Sequence, residues 1–131
     1  MDMKKPYTVL LVDDDKFLLG MYQKKFDKYG VKAEMCVGSE EALSKLRGGA
    51  TYDILVLDII MPTVDGIELL GTIRKEKLAQ NSIVVMLTNE GSSARIEEAK
   101  ALGVAGYIVK ATSIPSEVVE EIIKIADNQT K

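Results

Sequence analysis

Short apolar runs and longer stretches with helical spacing take turns along this chain of 131 residues. Residues 9–12, 32–37, 54–57, 83–87 and 106–109 are rich in Val, Ile and Leu, are bounded by turn residues, and predict five strands. Between them, apolar side chains recur every three or four positions: at Phe17, Met21 and Phe26; at Ala42 and Leu46; at Leu69, Leu70 and Ile73; at Ile96, Ala99 and Leu102; and at Val118, Val119, Ile122 and Ile123. Each set predicts a helix with one buried face. The strands read as continuous apolar runs, which parallel strands covered on both faces require. The pattern therefore predicts an α/β domain with a doubly wound five-stranded parallel sheet and helices on both faces. In such sheets ligand chemistry gathers at the carboxyl ends of the strands, where the strand order reverses.

Punctuation supports these boundaries. Gly30, the pair Gly48 and Gly49, and Gly103 each follow a helical stretch, where a left-handed closing residue is wanted. Ser39 and Ser113 stand where helix caps belong, and Pro115 falls in a first helical turn, where its missing N–H costs nothing. Asp15 suits the cap of a helix beginning near Lys16 better than it suits a ligand role, and Asp65-Gly66 suits a turn and helix start. With no repeat, low-complexity tract or linker, residues 1–131 are expected to form a single domain with its core over about 8–126. Met1 and the polar tail at 127–131 are expected of a stand-alone protein.

Composition narrows the function classes. Hydrophobic residues make up 47% and charged residues 28%, as in globular domains, and no stretch approaches the roughly 18 apolar residues of a membrane helix. A cytoplasmic protein with no membrane association is expected. The net charge of -3 gives no long-range attraction for nucleic acid, so no direct nucleic-acid binding is expected. Cys36 is the one cysteine and reads as a small core hydrophobe. Histidine is absent, which excludes an internal histidine base, ligand or phosphohistidine.

The polar residues that end the strands share one edge of a parallel sheet. Asp13, Asp14 and Asp15 follow the first strand, Asp58 the third, Thr88 the fourth and Lys110 the fifth. Carboxylates converging there would raise one another's pKa unless a cation intervened. Hard oxygen ligands at an open site suit Mg²⁺ together with a phosphate oxygen. Lys110 and the Thr88 hydroxyl would add a positive charge and a donor, which makes the edge a site for a phosphoryl group, with Asp58 as the central carboxylate nucleophile.

The segment Asp58-Ile59-Ile60-Met61-Pro62-Thr63-Val64-Asp65-Gly66 resembles the phosphoacceptor segment of receiver domains of two-component response regulators, of the single-domain chemotaxis-regulator type. The separations agree: 44 positions from Asp14 to Asp58, 30 from Asp58 to Thr88 and 22 from Thr88 to Lys110. The resemblance implies the flavodoxin-like strand order 2-1-3-4-5. It implies that Asp58 takes a phosphoryl group from a phosphohistidine of a sensor histidine kinase or phosphotransfer protein. Asp14 would bind Mg²⁺ directly and Asp13 mainly through water, with Asp58 and the backbone carbonyl of Ile60 completing the protein ligands. Thr88 would hydrogen-bond a phosphoryl oxygen and Lys110 pair with another. Tyr107 resembles the aromatic switch residue that turns inward as Thr88 moves, although an aromatic there could also simply pack on a helix. The output would be a changed surface over the fourth helix, fifth strand and fifth helix, offered to a downstream protein or to a second copy. Such a protein is a signalling module that catalyses its own modification, not a turnover enzyme.

Departures from the family pattern fall around the same site. Ala111 stands where receivers commonly have a proline, often cis, and Asn89 where they usually have a small residue. Ile60 cannot orient water and the charge of Glu90 opposes an incoming anion, so slow self-dephosphorylation is expected. The alternative within the family is a degenerate receiver acting as a phosphorylation-independent scaffold; the presence of Asp13, Asp14, Asp58, Thr88 and Lys110 argues against it. A haloacid-dehalogenase-type phosphatase would need a second Asp where Ile60 stands. A flavodoxin-like cofactor binder would need a Ser/Thr-rich loop where the three acids lie, and no G-x-G-x-x-G or P-loop is present.

Overall fold

The computed structural model describes residues 3–62, 64–89, 93–110 and 113–130. Glu90 and Ala111 lie outside them, as does Thr63. The elements are β1 (Thr8–Asp13), α1 (Lys16–Lys28), β2 (Lys32–Val37), α2 (Ser39–Arg47), β3 (Ile54–Asp58), α3 (Gly66–Lys75), β4 (Ile83–Thr88), α4 (Ser93–Ala101), β5 (Gly106–Val109) and α5 (Pro115–Gln129). All strand pairings are parallel and the sheet order is β2-β1-β3-β4-β5. Chain order reverses direction between β1 and β3, so the carboxyl ends of those two strands flank the switch point expected from the sequence.

Alternation along the central strands divides the core in two. Val9, Leu11, Val56, Val85 and Leu87 face α1 and α5, meeting Leu19, Phe26, Val119 and Ile122. Leu10, Val12, Leu55, Leu57 and Met86 face the other way, toward Leu46, Leu70, Ile73 and Ala99. Each such side chain, fully buried, contributes roughly 1.5–3 kcal/mol relative to exposure. The edge strands depart from the continuous apolar pattern. In β2 the exposed Lys32 and Glu34 alternate with Ala33, Met35 and Cys36, and Tyr107 in β5 is 42% exposed. A strand paired on one side only, with less helix over it, keeps one face in water.

Several boundary readings need correction. Phe17 is 79% exposed; the buried face of α1 is Leu19, Tyr22 and Phe26. Ile114 has helical spacing with Val118 and Ile122, which predicts a core place, but it is 61% exposed because it precedes α5 and is not part of its packed face. Gly38, not Ser39, occupies the N-cap position of α2, and the Ser39 hydroxyl donates instead to the Val64 carbonyl at 2.8 Å. Ser113 lies one residue too early: Ile114 holds the α5 N-cap position without a side-chain bond, and Glu117 Oε1 accepts from the Ile114 N–H. Asp15 does cap α1, accepting from the Leu18 N–H at 3.1 Å. Asp65 caps α3 in a capping box with Glu68 and also pairs with Arg95 of α4.

Candidate functional site

β1 and β3 each carry an apolar run to their last residue and then a carboxylate. Because they are adjacent and parallel, Asp13 and Asp58 arrive side by side. Both are buried, at 0% and 2% exposure, while Asp14 is exposed at the rim. Carboxylate oxygens of Asp13, Asp14 and Asp58 all lie within 4.8 Å of one another. Lys110, just past β5, extends its ammonium between the two buried acids, with Nζ 3.3 Å from Asp13 Oδ2 and 3.3 Å from Asp58 Oδ1. Asp13 Oδ1 also accepts from the Asp15 N–H at 3.1 Å, so Asp13 is tied by two donors.

Asp58 is left short. Its approach to Lys110 has the distance of an ion pair without the alignment of a hydrogen bond, so among the described residues Oδ1 is buried with no hydrogen-bond partner. Burial, followed by the negative charge of Asp13, raises the Asp58 pKa to about 7 against the opposing pull of Lys110. Among the described residues one ammonium, that of Lys110, thus serves two buried carboxylates.

These residues line an open cleft of about 420 Å³ together with Asp15, Leu18, Tyr22, Ile60, Asn89, Ser113 and Pro115. Ile60 is 57% exposed at the mouth. Thr88 ends β4 beside the site and is 4% exposed. It pairs in register with Val109, so the hydroxyl-bearing residue and Lys110 leave neighbouring strands at one level. Tyr107 is exposed, two residues earlier on β5, with its backbone opposite Met86. The loop after Asp58 is held close: the Ile59 N–H donates to the Leu87 carbonyl at 2.8 Å and the Gly66 N–H to the Ile59 carbonyl at 2.9 Å. Sequence reasoning placed none of Leu18, Tyr22, Ser113 and Pro115 at the site, having read Ser113 and Pro115 only as helix-start residues. The signal available was the spacing of Asp15, Leu18 and Tyr22, which shares one helical face.

The donors fit a divalent cation. They are oxygens only, three carboxylates share one small volume, and an orphaned buried oxygen belongs to one of them. Such a set suits Mg²⁺, which keeps several waters and takes few protein ligands. Asp13, Asp14 and Asp58 could hold it.

A doubly wound five-stranded parallel sheet with an acidic cluster and a lysine at its carboxyl edge defines a class of flavodoxin-like α/β modules. The family model for the response regulator receiver domain matches residues 9–123, and the chain belongs to that family. The chain is 32% identical over 119 residues to the transcriptional regulatory protein ResD of Bacillus subtilis (strain 168), covering 91% of this chain and 48% of the relative. It is also 32% identical over 117 residues to the probable transcriptional regulator ycf29 of Porphyra purpurea, covering 88% and 54%. It therefore spans about half the length of the curated relatives it matches. Among solved structures, the receiver domain of the Francisella response regulator 1452 superposes with a TM-score of 0.79 at 32% identity, over 95% of this chain and 99% of that one. The chemotaxis response regulator CheY4 of Vibrio cholerae gives 0.81 at 27%, over 92% and 99%. Among the described residues no helix is long and apolar enough to cross a membrane.

Proposed function

We propose that this chain is a single receiver domain, working in the cytoplasm, that takes a phosphoryl group on Asp58 from the phosphohistidine of a histidine kinase or phosphotransfer protein. The observation that carries this reading is the buried Asp58 carboxylate, clustered with Asp13 and Asp14 and beside Lys110, with an oxygen that finds no hydrogen-bond partner among the described residues. A carboxylate oxygen of Asp58 attacks phosphorus, the P–N bond breaks with its electron pair going to the ring nitrogen, and the donor imidazole, which already carries a proton on its other nitrogen, leaves neutral. The product is an acyl phosphate.

Mg²⁺ held by Asp13, Asp14, Asp58 and the Ile60 carbonyl would supply the charge that offsets the phosphoryl oxygens. Lys110 pairs with a phosphoryl oxygen as the acyl phosphate forms, a role supported by its Nζ standing 3.3 Å from Asp58 Oδ1. Thr88 donates its hydroxyl to another. Its movement toward the phosphoryl group opens room for Tyr107, which is exposed in this structure, to turn inward. The surface of α4, β5 and α5 changes as a result, and a downstream protein or a second copy reads it. Neither nucleic acid nor membrane is part of this output. Ile60 at the mouth gives an attacking water no hydrogen-bond partner, and Asn89 narrows the approach, so the acyl phosphate is long-lived.

Incubation with acetyl phosphate and Mg²⁺, followed by intact mass measurement, tests this. One phosphoryl adduct is expected on the wild type and none on Asp58→Ala or without metal. Absence of an adduct with every donor tried supports the degenerate scaffold instead. Decay of the adduct within seconds at neutral pH contradicts the slow hydrolysis.

A further inference from the structure

Tyr22 is the large polar side chain in the cleft wall to which the proposed chemistry gives no task. It is 2% exposed, and its ring belongs to the core face formed with Leu19, Phe26 and Val119. Yet Tyr22 also lines the acidic cleft. Among the described residues its hydroxyl has no hydrogen-bond partner, and it is not among the enclosed orphan atoms either, so the small accessible part of Tyr22 includes that hydroxyl.

The helix explains where the hydroxyl goes. Side chains on a helix lean toward its N-terminus, and α1 begins at the carboxyl edge of the sheet, beside the acids. Asp15, Leu18 and Tyr22 stand on one helical face, and all three line the cleft. Burial, and after it the negative charges of Asp13, Asp58 and Asp15, push the phenol up and keep it in its donating form. A phenylalanine would fill the same hydrocarbon space. The extra oxygen is compatible with this core only if water in the cleft satisfies it.

We propose that Tyr22 is a positioning residue for the phosphoryl site: its hydroxyl, through a cleft water, donates to the Asp13 and Asp58 carboxylates and holds them turned toward the cation position. The inference rests on the function proposed above. It assigns to α1 a contribution that the five strand-end residues do not make. Donors of this kind behind a metal's ligands influence affinity by about 10- to 100-fold when direct, and a water-mediated one is expected to matter less.

The test is Tyr22→Phe, which retains the ring and its packing. Calorimetric titration of the metal-free protein with Mg²⁺ is expected to show about 3- to 10-fold weaker binding in the variant. The unfolding midpoint in EDTA is expected to stay that of the wild type, while the increase produced by Mg²⁺ shrinks. Equal Mg²⁺ affinity in the two proteins overturns the proposal. So does a loss of affinity that comes with a matching drop of the EDTA midpoint, because packing would then be the cause. If the wild type binds no Mg²⁺ and accepts no phosphoryl group, the underlying reading falls as well. If the wild type does both and Tyr22→Phe is indistinguishable from it, only the role of Tyr22 falls.

Discussion

Asp53 and Asp58 bracket the same central strand, five positions apart, and the protein treats them in opposite ways. At the amino end, the Asp53 carboxylate accepts from the Thr8 N–H at 2.9 Å, from the Thr8 hydroxyl at 3.2 Å and from Lys5 Nζ at 3.0 Å. Burial pushes its pKa up, but those bonds together outweigh it and leave the group below the usual carboxylate value. At the carboxyl end, burial and Asp13 dominate, and Asp58 rises. Both ends hold an acid against a lysine. What separates them is supply: three donors for one carboxylate at Asp53, one ammonium for two carboxylates at Asp58. A carboxylate whose acceptor sites are filled ties strands together. One left wanting donors holds free energy that a cation or a phosphoryl group can release.

The sharpest way to break the comparison is through the backbone beneath Asp58. A Cβ added at Gly66 would stand 2.2 Å from the Asp58 carbonyl oxygen and 2.8 Å from its carbonyl carbon. Neither atom can yield without displacing the end of β3. Gly66→Ala is therefore expected to destabilise the fold by about 3 kcal/mol or more in urea unfolding, and to remove phosphorylation from whatever protein remains folded. A variant with wild-type stability would mean that the turn after Asp58 has slack, and that the site is less rigidly placed than its counterpart at Asp53.

Matched substitutions at the two acids come next. Asp58→Asn removes a buried charge that lacks donors, so the metal-free protein at pH 7.5 is expected to gain about 2 kcal/mol, as often happens when a functional site is relieved. Asp53→Asn gives up the Lys5 ion pair and part of the Thr8 bonding and is expected to lose about 1–2 kcal/mol. Urea unfolding in EDTA reads both. Opposite signs are the content of the contrast, and two losses of similar size would erase it.

How much of this could be read from the sequence depends on how local each signal is. A polar residue closing an apolar run is a one-dimensional mark, and in a parallel sheet all such marks land on one edge, so Asp13, Asp58, Thr88 and Lys110 were legible before any coordinates. The doubly wound sheet with helices on both faces followed from the same regularity, while the strand order came from the resemblance to receiver domains. Helix phase was harder. Phe17 has the right period but the wrong face, because the helix starts at Lys16 and its first-turn residue overhangs the sheet edge. Ser39 looked like a cap, yet its hydroxyl found the Val64 carbonyl, 25 residues away, a partner that no local rule supplies. The contrast between Asp53 and Asp58 was illegible for the same reason. Each is an acid at the end of an apolar run, and only the tertiary inventory of donors tells them apart. Tyr22 was hidden among core residues, since its ring obeys the core pattern and only its oxygen does not.

The smallest effect is also the cleanest to isolate, because the protein has no histidine. In the unfolded chain an aspartate titrates near 3.9, whereas folded Asp58 is raised to about 7. Between those values the native state binds more protons than the unfolded state, so stability falls as pH rises through this window and levels off above it. The acids held low in the fold, Asp53, Glu34, Glu76 and Asp127, act in the opposite sense, gaining stability as pH rises, but they are ionised in both states by pH 5. Cys36, pushed up to about 12 by burial, contributes nothing there. From pH 5.5 to 7 in EDTA, wild-type unfolding free energy is expected to decrease by about 1 kcal/mol. Asp58→Asn should flatten that segment and Asp53→Asn should leave it intact. Saturating Mg²⁺ should reverse it, since the cation competes with the proton for the same oxygen. A flat wild-type profile would show that Lys110 compensates Asp58 as fully as Lys5 and Thr8 compensate Asp53, and the two ends of the strand would then be alike.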